Sequence, residues 1–479
     1  DRDLRLDDVP ARAQRIHFRI QEHHDAVFLV RHQQPEPGHR RDRSHASHAQ
    51  PPARATAEAS LPGFPGALGW ASQTPGGRGG RIIRVTNLNS EGPGSLREAI
   101  EADGPRIVVF EVGGVIDLDR KTLKITNPFI TIAGQTAPSP GVTLIRGGID
   151  VGGHDVIIQH IRIRPGSAGQ AWMSGWDEDS ISTQAAYNVI VDHCSLEWGT
   201  DENLSASGPR FTGSTPEEWR AGTSHNITFS NNIIAEGLAY STHSKGEHSK
   251  GSLIHDNVTG LLIVNNLYAH NYERSPLFKG GVHGVIVNNL IYNPGPRAIH
   301  YNLAPEEWLN HPYEVGRMTA IGNVLRAGPS TPTDHLAFLM IGGAGDLEYY
   351  GRDNVAVDQV GEPIRMFGRY TTTSARIIET RRPPVWWEGV TPIPSAQVQV
   401  SVLAQSGARP WDRDQRDVLL IAEVAEGRGE IIDHEREVGG YPAVAEATRK
   451  PFNPDDWDLR FMTPLRDEVL DRPARRRTT

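Results

Sequence analysis

Asp177, Glu178 and Asp179 stand shortly before the phrase VIVDH, and Asp201 with Glu202 follows it. If that phrase is one turn of a repeating coil, carboxylates before and after it fall on the same side of neighbouring turns. Converging hard oxygen donors suit Ca²⁺, which takes about 6–8 oxygens in a flexible geometry; standing apart, the same groups would be an ordinary solvated acidic surface. Further along, THSKGEHSKGSL gathers Lys245, His243, His248 and Lys250. His243 and His248 have metal-ligand character, but the stretch offers no obvious third ligand. NYERSPLFKG then carries Arg274 and Lys279 on either side of a proline. Carboxylates on one turn with cations on the next turns make a site for an anionic sugar polymer, its charge neutralised by the cations and by a bridging metal.

The elements that must position these groups are short strands. A phrase of β-branched or apolar residues closed by a polar pair recurs: VIIQH ends at His160, VIVDH at His193, ITFSN at Asn231, LIVNN at Asn266, VIVNN at Asn289, and a weaker AIGN at Asn323. Successive copies lie about 23 to 38 residues apart, the range of units that bury their apolar face only by stacking on a neighbour. Short β-branched runs bounded by Asn, Gly and Pro read as strands. The polar pair marks a bend repeated on every turn, with amide side chains stacking from coil to coil, so Asn231, Asn266 and Asn289 are read as structural.

Composition agrees. The 479 residues include 49 Gly and 34 Pro, with 37% hydrophobic and 7% aromatic residues, a turn-rich β composition and not that of a helical bundle. The net charge of −9 gives no reason to expect a nucleic-acid partner. Cys194 is the sole cysteine, which excludes an internal disulfide and a cysteine-built zinc cluster, and its place in a strand suits a packed thiol. No stretch approaches the roughly 18 apolar residues of a membrane span. Residues 1–58 are rich in His, Arg, Gln and Pro, lack the apolar core of a secretory signal, and read as a disordered leader or a non-native extension.

Order is expected from Leu61. Ser95 followed by Glu98 is a capping box for a short helix through Ile100, read as a lid over the first coil. The strand stack is expected over 61–370, with polar excursions at Pro165–Ser180, Gly199–Ser224 and Ala235–Gly251, where a rigid scaffold displays function. Residues 371–479 read as an extension packed along the coil, with an amphipathic helix over Asp412–Val424 and a terminal fringe of Arg475, Arg476 and Arg477.

With its opening FPG…TPGGRGG…VTNLNSEGPGSLREAI…TIAGQTAP, the chain resembles the pectate lyases of polysaccharide lyase family one, in particular the branch similar to pectate trisaccharide-lyases. The resemblance covers Leu61 to Asn302 strongly and the tail through Tyr441 more weakly. It implies an all-β, right-handed parallel β-helix that binds Ca²⁺ and cleaves polygalacturonate or a related polyuronate by β-elimination, secreted and monomeric, without nucleic-acid or membrane partners. Residue by residue it implies Asp177, Asp179 and Asp201 as metal ligands, Arg274 as the base, and Lys245, Lys279 and His243 on the substrate. The chain departs from the pattern twice. Ser205 stands where many members have a fourth acidic ligand, with Glu202 a substitute, and Lys279 replaces a second arginine and with it bidentate carboxylate recognition.

Two other readings stay open. A glycoside hydrolase on a similar coil would draft Asp201 and Glu202 as acid and base, although Lys245 and Arg274 are expected to suppress the raised pKa an acid needs. A non-catalytic carbohydrate-binding coil would use Trp176, Trp198, Trp386 and Trp387 as stacking platforms, against the commoner fate of Trp in packing.

Overall fold

The computed structural model describes residues 61–471 other than 249, 333 and 444–446; the expected leader and the terminal arginine fringe lie outside the described residues. Three parallel sheets of 11, 10 and 9 strands run side by side, and the chain visits them in turn, which is a parallel β-helix. The first sheet runs from Arg81–Val85 to Ile377–Glu379, so the coil continues past the boundary expected at residue 370. The second sheet ends on an antiparallel tail strand, Thr448–Arg449, paired with Val112–Asp117.

Register puts like on like. Val156, Val189, Ile227 and Leu261 stack on consecutive coils with no exposed surface, all in the central core. Each such side chain contributes about 1.5–3 kcal/mol on burial. Alternate residues of the same strands point outward, yet they too are covered. Leu262, Val264, Val285 and Val287 lie under Leu68, Trp70, Trp386 and Trp387. Ile233, Leu267 and Leu290 of the second sheet lie under Val398, Val402, Leu420 and Val424 of two tail helices, Ser395–Gln405 and Gln415–Glu426. Strands buried on both faces explain why the repeats are continuously apolar. The outward row of the third sheet differs: Lys124, Asp150, Ser182 and Ser205 align there, polar where its neighbours are apolar.

The polar pair closing each repeat divides two tasks. The residue at the bend takes the left-handed conformation: it is the last residue of the first three copies, His160, His193 and Asn231, and the first of the closing pair in the next two, Asn265 and Asn288, all with φ between 50° and 57°. From the third copy onward the residue after the bend enters a buried amide ladder, in which Asn232 donates to Asn266, Asn266 to Asn289 and Asn289 to Asn323 at 2.9–3.0 Å, each also donating to a backbone carbonyl of the neighbouring coil. Asn266 and Asn289 take the expected structural part. Asn231 takes the bend, and Asn232 is the ladder member, because the bend consumes one residue that tolerates positive φ before the stack resumes.

The capping helix spans Leu96–Glu101; Ser95 accepts from the Glu98 N–H, and Leu96, Ala99 and Ile100 enter the core. Fully buried Arg106 satisfies its last turn by donating to the carbonyls of Ala99 and Ile100. The excursion expected at Gly199–Ser224 is instead divided by the strand Leu204–Ser207, whose small residues belong to the third sheet. Cys194 is buried, and burial pushes its thiol up to about 12, the packed role expected. No helix among the described residues is long and apolar enough to cross a membrane.

Candidate functional site

The third sheet is entered from one corner by the strands Ile181–Gln184, Leu204–Ser207, Leu253–Ile254, Leu277–Lys279 and Ile299–Leu303. Backbone pairing begins just ahead of them: Ser180 N–H donates to Glu202 O at 3.2 Å, Lys250 N–H to Asp201 O at 2.8 Å, Gly251 N–H to Glu273 O at 3.0 Å and Ser275 N–H to Ala298 O at 3.0 Å. Asp179, Glu202, Lys250, Arg274 and Arg297 therefore occupy the same corner of successive coils, about 4.8 Å apart per coil.

There Asp179, Asp201 and Glu202 converge, with donor atoms all within 4.8 Å of one another. The Glu202 N–H anchors Asp179 Oδ1 at 2.8 Å. Glu178, between the two expected ligands, turns away and accepts from Thr122 Oγ1 and the Gly148 N–H at 2.5 and 2.9 Å, as alternation along an extended segment requires. Asp177 stays outside this trio; its side chain is 40% exposed, and its Oδ2 lies 3.8 Å from His243 Nε2.

The electrostatics follow from crowding. Burial and the neighbouring charges of Glu202 and Asp201 hold Asp179 well above the usual carboxylate range. Burial, then Asp201, lifts Glu202 to about 7 against the pull of Arg274. The expected suppression by Arg274 is thus outweighed, because desolvation of a fully enclosed carboxyl is the larger effect. Burial also acts to raise Asp201, but hydrogen bonds from His243 and His248 overcome it and hold that carboxyl well below its usual range. Ser205 Oγ is buried among them without a hydrogen bond of good geometry. Three converging carboxylates, a buried hydroxyl beside them and a surplus of negative charge form a donor set that could hold a hard divalent cation.

Arg274 lies two coils beyond Glu202 and pairs with it. Burial lowers its pKa, and Glu202, Asp201 and Glu273 more than restore it, so the guanidinium is held charged. Lys279 sits at the far end of its strand and pairs with Glu307, which also meets Arg210 at 2.8 Å. Lys245 is exposed, and its backbone N–H donates to His243 Nδ1 at 3.0 Å. His243 is buried at 3% exposure, beneath Lys245 and against Asp201.

The structure adds Glu273, which pairs with Arg297 and lies 3.7 Å from Lys250, and Asp256, which meets Arg210 at 2.8 Å. Position was the available signal: Glu273 adjoins Arg274, and Arg297 stands ahead of its strand as Arg274 does. The tryptophans named as platforms are spent on packing. Trp198 is 1% exposed and donates to Glu236, Trp176 donates to Gly166 O while its carbonyl accepts from Thr200, and Trp386 and Trp387 lie against the first sheet.

No family model matches the chain. Among curated proteins it is 33% identical over 410 residues to a probable pectate lyase C of Aspergillus terreus, spanning 83% of this chain and 85% of that protein. A probable pectate lyase C of Neosartorya fischeri is 32% identical over 391 residues, 80% of this chain and 81% of that one. Among solved structures, the chain is similar to a pectate lyase bound to a hexasaccharide, over 72% of this chain and 97% of that one, at 14% identity and a TM-score of 0.47.

Proposed function

The chain belongs to the pectate lyase family of polysaccharide lyases, and we propose that it cleaves polygalacturonate or a related polyuronate by Ca²⁺-dependent β-elimination, releasing unsaturated oligosaccharides outside the cell. The observation that carries this reading is the convergence of Asp179, Asp201 and Glu202 within 4.8 Å, with Arg274 on Glu202. Asp177, outside the trio with its Oδ2 3.8 Å from His243 Nε2, would complete the expected ligand set by turning inward. Ca²⁺ held there would neutralise the substrate carboxylate and make the adjoining C5 proton more acidic.

The chain's own residues supply the rest. Lys245, exposed above His243, offers an ammonium group to a further carboxylate of the polymer, and Lys279, buried at the opposite end of the strand that follows Arg274, must exchange Glu307 for a substrate carboxylate to do the same. Arg274 takes the C5 proton as neutral guanidine. The electron pair left at C5 forms the C4–C5 double bond, the bond from C4 to the bridging oxygen breaks, and solvent protonates the departing oxygen. A guanidinium loses its proton only above pH ~12 in water. Glu202, once engaged with a cation, would do less to hold Arg274 charged, which weakens the largest of the influences that oppose burial there, while Glu273 remains. Alkaline operation follows from this assignment.

The test is absorbance of the unsaturated product from polygalacturonate, with Ca²⁺ and with chelator. Product that appears with Ca²⁺ and vanishes with chelator is expected. New reducing ends without unsaturation would favour the hydrolase, for which the raised Glu202 is the supporting observation; binding without turnover would favour a carbohydrate-binding coil.

A further inference from the structure

His243 and His248 are stacked, with ring centroids 3.9 Å apart and planes 26° from parallel, both nearly buried. Their Nε2 atoms approach the same oxygen, Asp201 Oδ1, at 3.5 and 2.7 Å. Two imidazoles and a carboxylate with donor atoms within 4.8 Å of one another are also the makings of a transition-metal site, which would make both rings ligands.

The other nitrogen of His243 decides between the two roles. Its Nδ1 accepts the Lys245 backbone N–H at 3.0 Å. An accepting nitrogen carries no proton, so the neutral ring holds its proton on Nε2, facing Asp201 Oδ1 at 3.5 Å and Asp177 Oδ2 at 3.8 Å. A ring that bound a metal through Nε2 would carry its proton on Nδ1, directed at the Lys245 N–H. We infer that His243, braced by His248, is a positioning residue: it donates to Asp201 Oδ1 and so holds the second oxygen of Asp201 toward the cation shared with Asp179 and Glu202. The inference rests on the reading of those carboxylates as cation ligands. It also ties the turn that displays Lys245 to the cation cluster through one backbone hydrogen bond.

The experiment measures Ca²⁺ affinity of the full chain without substrate, by calorimetry, for wild type, His243→Ala and His243→Gln. Removing a group that orients a ligand typically weakens metal binding about 10–100-fold. That loss is expected in His243→Ala. His243→Gln, which can present an amide N–H near the position of Nε2, is expected to recover most of the affinity, and turnover at saturating Ca²⁺ is expected to change less than the Ca²⁺ concentration needed to reach it. Wild-type affinity in His243→Ala would overturn the inference. So would a Gln variant as weak as Ala, or wild-type Zn²⁺ binding tighter than Ca²⁺ and lost in both variants, which would mark the ring as a ligand. No Ca²⁺ binding by the wild type would instead overturn the cation reading beneath it. Should His243→Ala fail to fold, the imidazole ¹⁵N shifts of the wild type give the tautomer directly: Nε2–H is expected, and Nδ1–H would overturn the inference.

Discussion

The corner cluster and the anchor of the tail are built from the same side chains, arginine against carboxylate, and they differ in enclosure. At the anchor, Arg164 pairs with Glu197, with Asp414 at 2.6 Å and with Asp417 at 2.9 Å, while Arg162 lies 3.4 Å from Asp417. The side chains of both arginines are 1% exposed, and those of Glu197 and Asp417 are wholly buried. Asp414 caps the helix Gln415–Glu426, accepting from the Asp417 N–H, so the network also satisfies a helix terminus. At the corner, the side chains of Arg274, Asp201 and Asp177 are 21%, 34% and 40% exposed around a sealed Glu202. Charges enclosed on every side hold two parts of a chain together. Charges enclosed on all sides but one remain available to something that arrives from solvent.

If that distinction is right, variants should dissociate. Arg274→Ala is expected to lower turnover about a thousandfold, within the span of about 10²–10⁴ typical of a positioned acid or base, with its thermal midpoint close to wild type. Unsaturated-product absorbance and a melting curve on the same preparation check both halves. Full activity would remove Arg274 from the chemistry, and a large loss of stability would move the corner into the structural class.

The converse holds for Arg164→Ala. Removing one partner of a sealed network leaves uncompensated carboxylates, at a cost of about 3–5 kcal/mol. Denaturant unfolding should show that loss while activity per folded molecule survives. Activity lost ahead of stability would mean that the tail anchor also shapes the corner cluster.

Ser205→Asp sharpens the contrast by making the corner less self-sufficient. A fourth acidic group beside Asp179, Asp201 and Glu202 should destabilise the cation-free chain and tighten Ca²⁺ about tenfold, or ~1.4 kcal/mol. The separation between melting points with Ca²⁺ and with chelator should widen. An unchanged separation would place the cation elsewhere.

These differences were legible to different depths. Periodicity carried the coil, since VIVDH, LIVNN and VIVNN each declare a strand and a bend, and Ser95 with Glu98 declared the helix Leu96–Glu101. The amphipathic pattern over Asp412–Val424 located the tail helix, observed at Gln415–Glu426. Pairing was not legible. Arg274 meets Glu202 across 72 residues and Arg164 meets Asp414 across 250, and local spacing has no means of ranking such partners. The roles of Asn231 and Asn232 were hidden for another reason: both belong to a polar run, and only φ separates the residue at the bend from the residue in the ladder.

Glu273 lies between the two classes, and it gives the smallest expected effect. Burial works to raise its pKa, but Lys250 and Arg297 pull it down to about 2. A depressed carboxyl contributes stability that is complete above its unfolded value of about 4.3 and is lost as pH falls toward the folded value. Between those limits Glu273 therefore steepens acid destabilisation by at most about 1.4 kcal/mol per pH unit. Glu273→Gln should flatten the stability profile over that window by a fraction of this amount, since Asp201, also depressed, titrates on regardless. Unfolding midpoints from pH 5 down to about pH 2 measure it. A profile parallel to wild type would mean that Lys250 and Arg297 leave Glu273 for solvent, placing this pair with the open corner and not with the sealed anchor.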